Sequence, residues 1–443
     1  MLQHSLKMIW AERKSNTWIF IELIVIFTIL WFCSGFMYEK GKQFFESPGM
    51  DVNHTYVLHF DIRKNVNIED YPKDYDYSQD RLTIMERLKQ YSATESACFS
   101  NYYSTPYSFG YKGREVFKDS VSYRYEFRSV TPEYFDVFKI KFQSGKPFDA
   151  NEVLSKNQVV ASPDADNTFF KKQDITSLKE IIDIDFEPGF DPTGKSEDEI
   201  EKAIKTKTVW KVTGGVNKMK RSEYEPYARI LFFPIHLSVS DYPIQYPQLV
   251  DFCIRVKPQA DKNFINTFRK EMSERLKVGP FELNSITPLN ESRAMYLRDT
   301  TEQIEMMWVV ISFLLVNVFL GIVGTFRFRA NARRGEIGLR CAMGSSKLQI
   351  QQLLLSETFV LLLLASIPAT IIALNIQWLG ILTKLGVSIM ADTEIARNKV
   401  VILQNLITYL ITFGSMLLII WLGTWYPAKK ASEIQPAEAL HYE

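Results

Sequence analysis

One stretch of the chain has the residue types and spacing of a loop that binds nucleotide phosphates. Gly189, Gly194, Lys195 and Ser196 match the pattern Gly-x-x-x-x-Gly-Lys-Ser, in which backbone N–H groups surround the phosphates and the lysine contacts them. Pro192 removes one of those N–H donors. Seven acidic residues between positions 183 and 199 would repel a triphosphate, and no buried strand ending in Asp follows to hold magnesium. We therefore interpret the match as a coincidence.

The remaining reactive residue types show no catalytic or metal-binding arrangement. The five histidines, at positions 4, 54, 59, 236 and 441, lack metal-ligand spacing, and no nucleophile stands beside a base in a recognised pattern. We therefore predict no catalytic residue, no metal and no cofactor bound by this chain. The formal net charge of +1 gives no indication of nucleic-acid binding.

Four apolar runs are each long enough to cross a lipid bilayer, which needs about 20 residues. They cover residues 18–37, 306–326, 353–374 and 400–425. No small-x-small cleavage site follows the first run, so it is not interpreted as a signal peptide. The expected fold is an α-helical membrane protein with four transmembrane helices and a large α+β, two-lobed extracytoplasmic domain between spans one and two.

The basic residues predict the orientation of these spans. Eleven Lys and Arg residues lie near the N-terminus, in the loop between spans two and three and after span four, against three in the short loop 375–399. The side richer in Lys and Arg faces the cytoplasm. Both termini are therefore expected in the cytoplasm, with an amphipathic surface helix at 1–17 and a tail at 426–443. Residues 38–305 are expected outside, together with the nucleotide-like loop.

The extracytoplasmic region contains a weak internal duplication. Strand-like alternation at 55–62, helical spacing at 79–91 and a second strand at 95–103 are followed late in the region by the same order at 249–256, 261–276 and 281–287. Two β-α-β units at the ends of one loop predict a membrane-proximal lobe made of residues 50–105 and 248–290. Residues 106–247 would form an inserted lobe.

The cysteines are scattered without Cys-x-x-Cys spacing, at positions 33, 98, 253 and 341. Cys98 and Cys253 share the extracytoplasmic region. A disulfide between them and a pair of buried thiols are both open, and we favour the thiols.

The loop at 327–352 is a basic segment with a predicted helix break. Gly344 suits the position after a helix, and Ser346 with Gln349 has the spacing of a capping box for the next helix. Ile337 and Cys341 would share one side of the preceding helix. Glu336 and Arg340 are spaced for an ion pair on a neighbouring face. A plain positively charged loop is the alternative.

Two acidic residues lie within the apolar runs. Glu22 either serves a function or extends its side chain to the nearby interface, and both interpretations stay open. Glu357 is either functional or a helix N-terminal acid favoured by the helix dipole. Spans with so few polar groups would make a poor aqueous pore, which argues against a channel.

The basic segment resembles the signature of the MacB/FtsX-type permeases of ABC transporters, Arg-x-x-Glu-Ile-Gly-x-Arg-x-Ala-x-Gly followed by a span that begins near a Glu. The end of the chain at 426–440 and segments at 130–138, 144–148 and 210–216 are also similar to that family. The residues that the resemblance assigns to ATPase coupling are Arg333, Arg334, Glu336, Ile337, Gly338, Arg340, Ala342, Met343 and Gly344.

The resemblance implies a permease subunit in the bacterial cytoplasmic (inner) membrane, with its large domain in the periplasm. A partner ATPase would carry ATP and magnesium, dock on the basic segment and move the periplasmic domain for efflux or export, a mechanism called mechanotransmission. About 17 residues precede span one, so the ATPase is expected on a separate chain. A second copy of the chain or a paralogue would complete a dimer in contact with membrane lipid. A periplasmic adaptor and an outer-membrane channel are further partners that some members of such a family would use. No nucleic acid is expected.

Two alternatives stay open. Within the family, the chain could be a lipoprotein-releasing permease or an FtsX-like regulator of cell-wall hydrolases. From another class, it could be a membrane sensor whose outer domain binds a ligand and signals without ATP hydrolysis.

Overall fold

The computed structural model describes residues 13–72, 75, 77–118, 121–148, 157–163, 180–186, 202, 204–235, 246–381 and 399–432. Within these ranges the chain forms two compact units: an outer unit, Gln43–Asp299, and a helical unit made of the described residues that precede Gln43 and follow Asp299 in the sequence. The nucleotide-like loop at 189–196 lies outside the described residues. The same holds for most of the predicted N-terminal helix, for residues 382–398 and for the end of the tail.

Eight α-helices are described. They are α1 (Arg13–Phe45), α2 (Tyr77–Gln90), α3 (Tyr134–Val137), α4 (Phe264–Met272), α5 (Leu289–Ala332), α6 (Arg334–Ala342), α7 (Lys347–Trp378) and α8 (Lys399–Ser432).

Four of these helices, α1, α5, α7 and α8, are long and apolar enough to cross a membrane. Each contains one of the predicted apolar runs and extends beyond it. The largest extension is in α5, which begins at Leu289 although its first 17 residues are too polar to read as part of a span. The prediction of four membrane helices, with an α/β domain between the first and the second, is confirmed.

Thirteen strands are described in the outer unit. They are β1 (Thr55–Ile62), β2 (Thr94–Asn101), β3 (Lys112–Lys118), β4 (Val121–Val130), β5 (Phe142–Gly145), β6 (Gln158–Ser162), β7 (Glu180–Phe186), β8 (Ile204–Val216), β9 (Met219–Lys220), β10 (Tyr227–Ala228), β11 (Ile230–Pro234), β12 (Val250–Val256) and β13 (Phe281–Pro288).

The two predicted β-α-β units interleave in one sheet. The elements β1, α2 and β2 from the first unit and β12, α4 and β13 from the second match the sequence predictions, and their strands lie in the order β2-β12-β1-β13. All three neighbouring pairs are antiparallel. Apolar side chains at helical spacing, including Ile84 and Leu88 on α2 and Phe264 and Phe268 on α4, pack together in one core with the strands.

Six of the remaining strands form a closed ring, while β5 pairs with β8 beside it and β9 and β10 form a separate two-stranded sheet. Strand β11 pairs with β6 on one side and with β4 on the other, and the ring continues through β8, β7 and β3. The Ser100–Val130 pairing joins this ring to the four-stranded sheet, so both predicted lobes share one continuous sheet. The lobe boundaries themselves stay a prediction.

Cys98 and Cys253 lie directly opposite each other on the antiparallel strands β2 and β12. Both are buried and free, which agrees with the favoured interpretation of two thiols. Burial, together with the neighbouring Cys253 thiol, raises the pKa of the Cys98 thiol well above its ordinary value.

Candidate coupling segment

Helix α6 is connected to α5 through a single residue, Arg333. The Nη1 atom of Arg333 donates to Oε2 of Glu357 on α7 over 3.0 Å, and the Glu357 side chain is 2% exposed. A carboxylate this deeply buried is stable in its charged form only beside an opposite charge. The pair therefore ties the start of α6 to the third membrane helix. Glu357 is the eleventh residue of α7, beyond the first turn in which the helix dipole favours an acid, so the alternative of a helix N-terminal acid does not apply.

The predicted helix break after α6 is present. Gly344 has φ +94°, a left-handed conformation that favours glycine, and the Ser345 N–H donates to the Arg340 carbonyl over 3.0 Å. The Ser346 hydroxyl accepts from the Gln349 N–H, and the Ser346 N–H donates to Oε1 of Gln349 over 2.9 Å. These bonds confirm the capping box and end α6 in a compact turn.

The inner side of α6 packs against two membrane helices. Ile337 is 5% exposed and clusters with Ile350 and Leu354 of α7 and with Ala428 of α8. Ile337 is therefore on the buried side of α6, whereas the Cys341 side chain lies outside the described part of the structure. The inner contact fixes the rotation of α6 about its own axis.

The outer side of α6 carries exposed apolar side chains. Leu339 is 52% exposed and Met343, one turn later, is 71% exposed; Leu348 at the start of α7 is 67% exposed. We call Leu339, together with Met343 in the turn immediately after the helix, the outer face of α6, meaning the side that is not packed against α7 and α8. Sequence reasoning missed Leu339, although its i, i+4 spacing to Met343 was a usable signal. Exposed apolar residues grouped together on a charged segment are typical of a protein-contact surface.

The other predicted residues of the segment are placed as follows. Glu336 and Arg340 form the expected ion pair at 2.8 Å, and both are partly exposed. Gly338 is buried, whereas Ala342 is exposed. The Arg334 side chain lies outside the described part of the structure. The structure therefore brings Arg333, Glu357 and Ile337 together on the inner side of α6 and places Met343 on the outer side.

Glu22 lies elsewhere, on α1. Its carboxylate faces Gly321 of α5: a Cβ added at Gly321 would lie 3.1 Å from Oε1 of Glu22. The side chain is half-buried, so Glu22 sits against a neighbouring helix at a position where that helix has no side chain.

Residues 308–436 match the family model described as FtsX-like permease C-terminal. This segment, which contains α6, α7, α8 and the C-terminal part of α5, is similar to the C-terminal domain of FtsX-like permeases. A search of curated proteins finds no match to the chain.

Three solved structures resemble part of the chain. The periplasmic region of MacB from Actinobacillus actinomycetemcomitans is 13% identical over 58% of this chain and 97% of its own, with a TM-score of 0.31. The extracellular domain of the noncanonic ABC-type transporter YknZ from Gram-positive bacteria is 12% identical over 52% of this chain and 100% of its own, with a TM-score of 0.29. A domain of a putative permease protein from Porphyromonas gingivalis is 10% identical over 55% of this chain and 93% of its own, with a TM-score of 0.27.

Proposed function

We propose that this chain is the permease subunit of an ABC transporter, and that an ATPase subunit docks on the outer face of α6. The observation that carries the proposal is the two-sided construction of α6. Its outer face leaves Leu339 and Met343 exposed, whereas its inner side is held to α7 and α8 by Ile337 and, through Arg333, by the buried pair with Glu357.

This construction suits the transmission of force. A push on the outer face cannot be absorbed by rotation of α6, because Ile337 is packed between α7 and α8. The compact turn at Gly344 and the capping box link α6 tightly to α7 at the other end. Displacement of α6 would therefore move the membrane helices with it.

Helix α5 offers a route from the coupling segment to the outer unit. It runs without a break over 44 residues from Leu289 to Ala332, which corresponds to about 66 Å. Its first residues belong to the outer unit and the rest to the helical unit. ATP hydrolysis on the partner subunit, which would hold the ATP and magnesium, would be converted into motion of the outer unit for efflux or export.

The proposal includes a second permease, as a copy of this chain or a paralogue. Met306, Val309, Phe313, Val316 and Leu320 recur along α5 at alternating steps of three and four residues, and all are more than half exposed. This is the spacing of a seam between two helices. The Lys and Arg distribution favours an orientation with both termini in the cytoplasm, and the resemblance to this class of permease implies the inner membrane.

The test is co-purification of an ATPase with the tagged full chain from its own host membranes in mild detergent, followed by an assay of ATP hydrolysis. We expect Leu339→Asp and Met343→Asp to abolish co-purification, because a buried unpaired carboxylate would oppose the apolar contact. Leu82→Asp is the matched control, since Leu82 is a 41% exposed leucine on a helix of the outer unit. That variant should retain the ATPase.

Other results would redirect the proposal. A chain that binds no ATPase but changes conformation with an extracytoplasmic ligand would be the membrane sensor. ATPase binding together with release of lipoproteins, or with activation of a cell-wall hydrolase, would replace efflux by the corresponding function. ATP hydrolysis by the chain alone, abolished by Lys195→Ala, would contradict our interpretation of residues 189–196.

A further inference from the structure

The outer unit contains a cavity of about 370 Å³ that plays no part in the coupling proposal. Aromatic side chains line much of it, among them Tyr107, Phe109, Tyr111 and Tyr296. We propose that this cavity binds a ligand that carries both a carboxylate and an aromatic ring. The carboxylate would bind Arg221, and the ring would lie against the aromatic wall.

A buried carboxylate organises the cationic side of the cavity. Strand alternation on β4 places Glu126 and Arg128 on the same face, where Nε of Arg128 lies 2.8 Å from Oε1 of Glu126. Nε of Arg221 lies 2.6 Å from Oε2 of the same carboxylate. Both oxygens of Glu126 are therefore occupied by arginine, so Glu126 orients the two guanidinium groups and does not contact the ligand.

The edge of the Arg221 guanidinium that carries Nη1 and Nη2 is not used in the bond to Glu126. Its centre lies 3.6 Å from the centroid of the Tyr111 ring, so stacking and the bond to Glu126 together fix its orientation. Within the described ranges, nothing accepts a hydrogen bond from its Nη1 or Nη2, and 30% of the side chain is exposed. A fixed, open guanidinium fork matches the two oxygens of a carboxylate.

The carboxylates of the cavity leave one cationic edge without a hydrogen-bond partner. Glu126 and Glu225 together balance the charges of Arg128 and Arg221, but only Glu126 is hydrogen-bonded to Arg221. Glu225 also lines the cavity, but its Oε1 already accepts from the hydroxyls of Ser222 and Tyr296. The nearby Glu223 pairs with Arg293 at 2.7 Å. The open positive edge therefore belongs to Arg221.

The aromatic side of the cavity is unusually exposed. Phe109 is 62% and Tyr111 43% exposed, and the Phe109 ring lies 5.9 Å from that of Tyr296, measured between centroids. Rings held open beside a fixed guanidinium provide a surface for stacking and a point for charge recognition in one site. Such a ligand could be a free aromatic acid or the C-terminal residue of a peptide, and the two share this chemistry.

The test is a ligand-observed NMR titration of the full chain in lipid nanodiscs. The probes are N-acetyl-L-phenylalanine and a tetrapeptide ending in Phe, with N-acetyl-L-phenylalaninamide and N-acetylglycine as controls that lack the carboxylate and the ring. We expect saturable binding of the first probe below about 10 mM and at least about tenfold weaker binding of both controls. A tetrapeptide that binds about tenfold more tightly would identify a peptide as the source, and equal affinity would identify the free acid.

Variants assign the binding to this cavity. Arg221→Gln should weaken binding of N-acetyl-L-phenylalanine about tenfold, and Phe109→Ala, which leaves the buried Glu126 pairs untouched, should weaken it severalfold. Arg269→Gln is the matched control, because Arg269 is an exposed arginine on α4 outside the cavity, and it should bind like the wild type. No saturable binding by the wild type, equal binding of the amide, or wild-type affinity in both Arg221→Gln and Phe109→Ala would overturn the proposal.

Discussion

Arg333 and Glu357 form a 3.0 Å ion pair across 24 residues of sequence, from the start of α6 to the first part of α7. Arg333 is 13% and Glu357 2% exposed at the side chain, so solvent screens the pair very little. Because an isolated charge at this depth is costly, each residue constrains the other, and the pair fixes where α6 begins relative to the third membrane helix.

Breaking this pair should destabilise the helical unit. We expect Arg333→Gln to lower the free energy of unfolding by about 3–5 kcal/mol, because the Glu357 carboxylate would stay buried without its partner. The measurement is unfolding of the full chain in mixed micelles, with Glu357→Gln and the double variant alongside. The double variant should lose less than the sum of the two single losses. Additive losses would mean that the two side chains do not interact.

Removing the capping box should loosen the start of α7. Ser346→Ala deletes the hydroxyl that accepts from the Gln349 N–H, and such a cap contributes about 1 kcal/mol. We expect faster hydrogen exchange of the backbone amides in the first turn of α7. Ser345→Ala, one residue earlier and without a capping bond from its side chain, should leave those rates unchanged. Equal exchange in both variants would contradict the capping role.

The Glu126 cluster should make the outer unit sensitive to acid. Burial acts to raise the pKa of Glu126, but Arg128 and Arg221 outweigh it, so the folded-state pKa lies below its ordinary value. Because the pKa of Glu126 is lower in the folded state, its carboxylate stabilises the fold at any pH above the unfolded-state pKa of about 4.3. This stabilisation is lost as the pH falls through the folded-state pKa. We therefore expect the denaturant concentration at the midpoint of unfolding to decrease when the pH is lowered below about 4.

A substitution identifies the Glu126 contribution. Glu126→Gln should lose about 3–5 kcal/mol of stability at pH 7, because Arg128 would keep its buried charge without compensation, and the part of the acid dependence due to Glu126 should disappear. Glu274→Gln is the control, since Glu274 is 82% exposed and pairs only at the surface, so little change is expected. Denaturant unfolding followed by tryptophan fluorescence between pH 3 and pH 7 measures both effects. An unchanged acid profile in Glu126→Gln would refute this assignment.

The neighbouring residues Cys98 and Cys253 should behave as two free thiols that react slowly with thiol reagents. Both Cys98 and Cys253 are buried, and the raised pKa of Cys98 lowers its thiolate fraction. We expect neither to react with a maleimide in the native chain, and both to react in denaturant without added reductant. Mass spectrometry of the labelled peptides measures this. Labelling in denaturant only after reduction would indicate a disulfide instead.

Features that depend on near neighbours were predictable from the sequence. The apolar runs identified the four membrane helices, and alternation identified β1, β2, β12 and β13. The Glu336–Arg340 pair and the Ser346 capping box follow from spacings of four and three residues. The interactions behind these features lie within one or two helical turns or one strand, so a short window of sequence contains both partners.

Other features depended on contacts that no local window contains. The first residues of α5, from Leu289, have the polar composition of a loop. Leu339 was missed because its exposure follows from the packing of Ile337 against α7 and α8, which turns Leu339 to the opposite side of α6. The Arg333–Glu357 pair joins residues on different helices. The closure of the strand ring required β11 to pair with both β4 and β6.

The cavity in the outer unit is the clearest case of this kind. Its lining comes from positions between 103 and 296, including the loop before β3, strand β4, the segment after β9 and the first part of α5. Periodicity determines which residues face a core, because it depends on local geometry. The tertiary structure alone decides which distant side chains meet, because their pairing depends on how whole elements pack.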